Sequence, residues 1–499
     1  MSYHKAICRL RPRLQFIRLQ STSSGPQSTR RFSRLVSASV GVASFGLGWY
    51  AYGLTHKQNK TATKVPDAAT AAIGAGVELP LINAKNGYPF NFLKPPSPEQ
   101  VTEILNRDAW SVSTPSTALG GVSRYYGSQV PSNGPCEDRY IHGKFPSPSQ
   151  PSGDNNWLAW GIFDGHLGSQ VSQALTQHLL PYVHKSLARA FSQGTPVDDA
   201  AIHNAITAAF LSLDDAFLQH AEDTIASPTL TFAQKIARLS TGSNGSCALL
   251  SLYDPSTHKL HVACTGDSRA VLGRLDPTTN TWTTVPLSED QGGGNPAEGA
   301  RVAAEHPGED LDALVKNGRV LGLATARAFG DGHWKWSATV QADGKERYLA
   351  DTLRPHSAEL YKTPPYVTAK PEVTTTVVEK GQPAFMILGS DGLWDVLTSE
   401  QAVGLVGRWI EWRKKGGKPD ELPPQGKWEG FDLAVYRKEG WNLKSEKETV
   451  QDENAAVHLV RNALGGAHHD MVSGLLSLKP PYSRWCRDDI TVQVVFFNC

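Results

Sequence analysis

Three apolar runs in this 499-residue chain meet acidic residues at one end. "WLAWGIFDGHLG" carries Trp157 onward into Asp164-Gly165-His166, and "PAFMILGSDGLWD" brings a second run to Asp391-Gly392. "RWCRDDITVQVVFF" sets Asp488 and Asp489 just before a third, and "SNGPCEDRY" adds the pair Glu137 and Asp138. Taken singly, Asp-Gly is chiefly a turn dipeptide. The coincidence points further. Strands hold such carboxylates rigidly at one edge of a sheet, and a following glycine lets the backbone come close to whatever is bound. Converging carboxylates repel one another and take up protons unless a cation cancels their charge. Oxygen-only ligation, without a His or Cys cluster, selects Mg2+ or Mn2+ over zinc. Two such ions bridged by a carboxylate lower the pKa of a shared water and clamp a phosphoryl group. Hydrolysis of a phosphate ester is the reaction this set serves best.

The elements that must position these residues are legible as short runs. "WLAWGIF", "SCALLSLY", "KLHVACTG", "RAVLGRL", "AFMILGS" and "ITVQVVFF" are β-branched or aromatic and bounded by turn residues, which predicts strands. "SQVSQALTQHLLPYVHKSLARAF" and "DAAIHNAITAAFLSLDDAFLQHAE" carry helical patterns. Strands grouped with helical pairs between them predict an α+β domain whose helices cover packed sheets, over about 100–499. The stretch 411–451 is polar, punctuated by Pro and Gly, and reads as a surface insertion. "GGGNPAEGA" reads as a loop, because no Lys-Ser/Thr follows to make it a nucleotide-binding one.

Charge is unevenly divided. Of the 49 Lys and Arg, eleven lie in residues 1–66, which hold no Asp or Glu; the rest of the chain has 38 basic against 48 acidic residues. An acidic body excludes nucleic acid as the main partner. The Arg- and Ser-rich, acid-free segment 1–34 has the composition of a mitochondrial leader. Leu35 to Leu54 is uncharged and close to the length of a transmembrane helix, which predicts a single-pass inner-membrane protein. Residues 55–99 read as a linker. The heavier positive flank on the N-terminal side of Leu35 would leave the body in the intermembrane space.

With these blocks in view, the chain resembles the metal-dependent protein serine/threonine phosphatases, the PPM or type 2C family. The ordered matches are "GPCEDRY", "WGIFDGHLG", "GSNGSCALLSLY", "ACTGDSRAVLGR", "LSEDQ", "GRVLGLATARAFGD", "TPPYVTAKPEV", "ILGSDGLWDVL" and "RDDITVQVV". It is most similar to the mitochondrial branch, the pyruvate dehydrogenase phosphatases and their fungal relatives. The resemblance implies a four-layer αββα sandwich of two antiparallel sheets flanked by helices. It implies that Asp164 bridges two metal ions, that the Gly165 carbonyl binds one, and that Asp391 and Asp488 complete the first. Glu137 and Asp138 would hold metal-bound water, His166 would be the general acid, and Asp290, Asp391 and Asp395 would hold a weaker third ion. The implied substrate is phosphoserine or phosphothreonine in a protein, with the E1 subunit of the pyruvate dehydrogenase complex as the branch's target. That complex is a matrix assembly, so this substrate and the topology expected from Leu35–Leu54 exclude each other.

Two positions depart from the family pattern. Asn133 stands where most members have an arginine that binds the substrate phosphate, so phosphate binding needs another donor; the mitochondrial branch shares this Asn. Leu167 replaces a small residue after Asp-Gly-His. A phosphatase with a covalent cysteine is excluded, since none of the six cysteines is followed six positions on by Arg. "GDGHW" lacks the final Gly of another metallophosphoesterase signature, leaving Asp331 as a structural residue. The reading from a different class is a catalytically silent scaffold of the same fold, which would be expected to lack the carboxylates Asp164, Asp391 and Asp488.

Overall fold

The computed structural model describes residues 95–498, except 114–120, 150–155, 193–196, 345–346, 349–358 and 419–442. The leader 1–34, the segment Leu35–Leu54 and nearly all of the linker lie outside the described residues. Among those described, no helix is long and apolar enough to cross a membrane.

Two antiparallel sheets form the centre. The larger has the order Trp110–Ser113, Val122–Val130, Ile490–Phe497, Ala384–Gly389, Arg269–Asp276 and Thr281–Pro286. The smaller has the order Glu372–Val377, Lys259–Thr265, Ala248–Asp254, Trp157–Phe163 and Arg139–Phe145. Trp157–Phe163 is buried at every residue because both of its faces are covered. Leu158, Trp160 and Ile162 pack in the core between the sheets with Tyr253, Val262, Met386, Leu388 and Phe497. Trp157, Ala159 and Phe163 face the helices Gln170–Phe191 and Asp199–Ala226. On the other side, Ile490, Val492, Val494 and Phe496 pack under the helices Pro98–Asn106, Ser399–Lys414, Ala455–Ala463 and His469–Ser477. A strand covered on both faces reads as a continuous apolar run, which is why all six predicted strands stand out in the sequence. The outermost strands Thr281–Pro286 and Glu372–Val377 alternate between exposed and half-buried residues, and their sequences carry no such signal.

Several boundaries are corrected. The domain starts before residue 100: Ser97 caps the first helix with a reciprocal capping box to Gln100, and Pro98 occupies its first turn. The last residues of the expected linker, from Ser97, thus start a helix. The expected insertion 411–451 is too wide at both ends. Glu411 to Lys414 complete the helix that begins at Ser399, and Leu443, Thr449 and Val450 are buried. In "GGGNPAEGA" only the first three glycines precede the helix, since Asn295 caps Pro296–Glu305.

One buried ion pair fastens the segment that reaches toward the acidic cluster. Lys335 Nζ lies 2.6 Å from Asp214 Oδ2 on the long helix and 2.7 Å from the Ala328 carbonyl, and Gly330 N donates to Asp214 Oδ1 at 2.8 Å. Burial raises the Asp214 pKa even against the neighbouring ammonium. Lys335→Met would leave that carboxylate buried without its counterion, and should cost about 3–5 kcal/mol in denaturant unfolding of the metal-free protein.

Candidate metal centre

The carboxylates at the strand ends converge. Asp164 follows Trp157–Phe163 and Asp391 follows Ala384–Gly389, and together with Asp267 they bring one oxygen each within 4.8 Å of one another. Asp267 follows Lys259–Thr265 by one glycine, so strand ends from both sheets deliver the three acids. Asp164 Oδ2 and Asp391 Oδ1 are buried without a hydrogen-bond partner among the described residues. Burial and the neighbouring carboxylates raise the pKa values of Asp164 and Asp391 well above the usual range, with Asp391 the main charge acting on Asp164 and Asp488 the main one acting on Asp391. Buried oxygens that repel one another and lack donors fit a hard divalent cation.

Around this centre, Asp138 is buried and receives a hydrogen bond from Thr491 Oγ1 at 2.6 Å; burial and Asp489 push its pKa up to about 7. Glu137 is also raised, by burial first and by Asp489 second, and its Oε2 accepts from Asn133 Nδ2 at 2.8 Å. Asp488 Oδ1 accepts from the Asp489 amide at 2.7 Å, and Oδ2 pairs with Arg484. Asp489 has a different task from Asp488. It accepts from the backbone amides of Ser132, Asn133 and Glu137, which lower its pKa against the effect of burial, and so it shapes the loop that presents Glu137.

The glycines of the two Asp-Gly pairs serve the protein's own backbone. A Cβ on Gly165 would overlap the Glu137 carbonyl, and one on Gly392 would overlap the Asp489 carbonyl. These glycines let the acid-bearing loops touch. Leu167, by contrast, sits in the left-handed region at φ 60° with its side chain exposed, which explains why a small residue suits that position.

Not every acid expected at the site joins this trio. Asp290 lies outside the cluster: Arg269 Nε donates to its Oδ1 at 2.8 Å and Arg269 Nη2 pairs with Oδ2, so both oxygens are held. Asp267 stands in the cluster instead, and the sequence carries a signal for it, an apolar run ending in Gly266-Asp267. Asp395 is exposed, one helical turn beyond Asp391, and its charge helps to raise the Asp391 pKa. Asp331 reaches His166. Wholly buried, it sets Oδ2 at 2.8 Å from His166 Nε2, while its Oδ1 has no hydrogen-bond partner among the described residues. Burial alone would lower the His166 pKa, but the charge and hydrogen bond of Asp331 carry it above its ordinary value.

Two helix-covered antiparallel sheets thus carry, at their strand ends, an acidic cluster that could hold a metal ion. The protein phosphatase 2C profile matches residues 133–423, more than half of the chain, and the chain belongs to that family. It is 40% identical to a protein phosphatase 2C homolog of Schizosaccharomyces pombe, over 76% of this chain and 81% of the relative. It is 37% identical to the mitochondrial pyruvate dehydrogenase (acetyl-transferring) phosphatase 1 of Saccharomyces cerevisiae, covering 76% and 69%. The mitochondrial phosphatase 1 of Homo sapiens is 30% identical, covering 81% and 83%.

Proposed function

We propose that the chain hydrolyses phosphoserine and phosphothreonine in proteins with the help of Mg2+ or Mn2+. The observation that carries this reading is the meeting of Asp164, Asp267 and Asp391 with two orphaned buried oxygens. Asp164, Asp391 and Asp488 would hold the ions, with the Gly165 carbonyl, while Asp267 and Asp395 border a weaker site. When bound, the metals would supply a nucleophilic water at neutral pH and charge to stabilise the phosphoryl group. Glu137, half-buried, and the buried Asp138 would accept hydrogen bonds from water held at the site. His166, a quarter exposed and oriented by Asp331, is placed to give its proton to the departing serine oxygen. A scaffold has no use for this convergence of repelling carboxylates. Hydrolysis of a phosphoserine peptide by the full chain should require Mn2+ or Mg2+ and stop with chelator; metal-independent release, or none, would overturn the assignment.

The relatives' names support a mitochondrial location and phosphorylated pyruvate dehydrogenase as the target. A matrix substrate requires Leu35–Leu54 to belong to the leader rather than to a span. The mature protein should then be released from mitochondrial membranes by an alkaline carbonate wash, whereas retention would restore the anchor and remove this substrate.

A further inference from the structure

We infer that Arg484 binds the phosphoryl group of the substrate, replacing from a neighbouring segment the arginine that position 133 lacks. The inference rests on the phosphatase reading above. Asn133 cannot do this work: it carries no charge, and its Nδ2 is directed to Glu137 Oε2 at 2.8 Å and Asp489 Oδ2 at 3.4 Å. Other guanidinium groups near the cluster are committed elsewhere. Arg269 holds both oxygens of Asp290. Arg139 donates to the carbonyls of Cys136 and Asp138 and to Gln173. Arg487 points to the helical side: its Nε lies 3.5 Å from the Leu475 carbonyl, and its Nη1, without a partner among the described residues, is buried away from solvent.

Arg484 differs from all three. Its side chain is 46% exposed, and its ion pair with Asp488 is made through Nη1. A guanidinium offers five donors in a fork that matches two phosphate oxygens, so Nη2 and Nε are left for an incoming anion. Its charge acts on Glu137 as well as on Asp391, Asp488 and Asp489, which places it beside both acidic flanks of the site.

The backbone explains how one segment can substitute for the other. Arg484 lies in the short turn Tyr482–Trp485, and Ser483 Oγ in that turn donates to the Ser132 carbonyl at 2.5 Å. The next residue in the other segment is Asn133. Pro480 lies against Gly134, so closely that a Cβ there would come within 3.2 Å of it. Asp489, five residues beyond Arg484, gathers the amides of Ser132, Asn133 and Glu137. Positions 133 and 484 therefore sit on two loops fastened side by side, and a cation on either can face the same phosphate.

The test uses the full chain and inorganic phosphate, read both as a competitive inhibitor of peptide hydrolysis and as a ligand in calorimetry with Mn2+ present. Arg484→Ala should weaken phosphate in both measurements by about tenfold or more and raise KM more than it lowers kcat. Arg484→Lys, which keeps the charge but loses the fork, should fall between. The Mn2+ concentration for half activation should stay constant or drop, because a cation beside Asp488 has been removed. Unchanged phosphate binding would overturn the inference. So would weaker Mn2+ activation with phosphate binding intact, since that pattern belongs to a residue that only holds Asp488 in place. A wild-type chain that binds phosphate but hydrolyses no peptide would instead strike the phosphatase reading, and this inference with it.

Discussion

Asp164→Asn should abolish metal-dependent hydrolysis, lowering kcat on a phosphoserine peptide by about 10³ or more, equivalent to roughly 4 kcal/mol of transition-state stabilisation. The side chain keeps its shape but loses the charge that a metal ligand would need here. The same variant should behave oppositely in stability. In the metal-free protein Asp164 is crowded by Asp391, Asp138 and Asp488, so its charge opposes folding. Asp164→Asn without metal should therefore melt higher than wild type, by roughly 2 °C or more, while the rise in Tm on adding Mn2+ should be largely lost.

The sign with pH follows from the same carboxylates. Their folded pKa values lie above the unfolded ones, so the folded state binds more protons. This contribution to stability is complete below about pH 4 and is lost as pH rises through the folded values, about 7 for Asp138. The gap in Tm between Mn2+-loaded and metal-free protein should accordingly widen from about pH 5 to 8, and widen less in Asp164→Asn. A gap independent of pH, or a variant less stable than wild type without metal, would contradict the electrostatic account.

His166→Gln should lower kcat on a phosphoserine peptide by about 10²–10³, the size expected for removing a general acid. On p-nitrophenyl phosphate the loss should be only severalfold, since a nitrophenolate leaves without a proton and a serine alkoxide does not. Asp331→Asn should show the same leaving-group pattern more weakly, because Asp331 acts through His166 by fixing which nitrogen faces it. Equal losses on both substrates would assign His166 and Asp331 to holding the metal centre rather than to proton transfer.

Much of this site is legible in the amino-acid sequence. Asp164 and Asp391 stand out because they close strands buried on both faces, which read as unbroken apolar runs with an abrupt acidic end. Asp267 obeys the same grammar behind Gly266, and its absence from the expected set reflects a choice between acids. Arg269 makes that choice in three dimensions by engaging both oxygens of Asp290. The polar edge strands and the ends of 411–451 are harder to read, since their burial depends on what covers them rather than on their own pattern.

By itself, the sequence determined the α+β class, the six central strands, the acids that end two of them, and the kinship carried by nine ordered blocks. These depend on local apolar pattern and on residue identity. Tertiary structure alone decided which carboxylates meet, that Asp331 backs His166 across 165 positions of chain, and that Arg484 lies beside the loop of Asn133. The physical reason is the same in each case: charge and hydrogen-bond partnership depend on distance in space. That distance is set when sheets and loops far apart in the chain pack together.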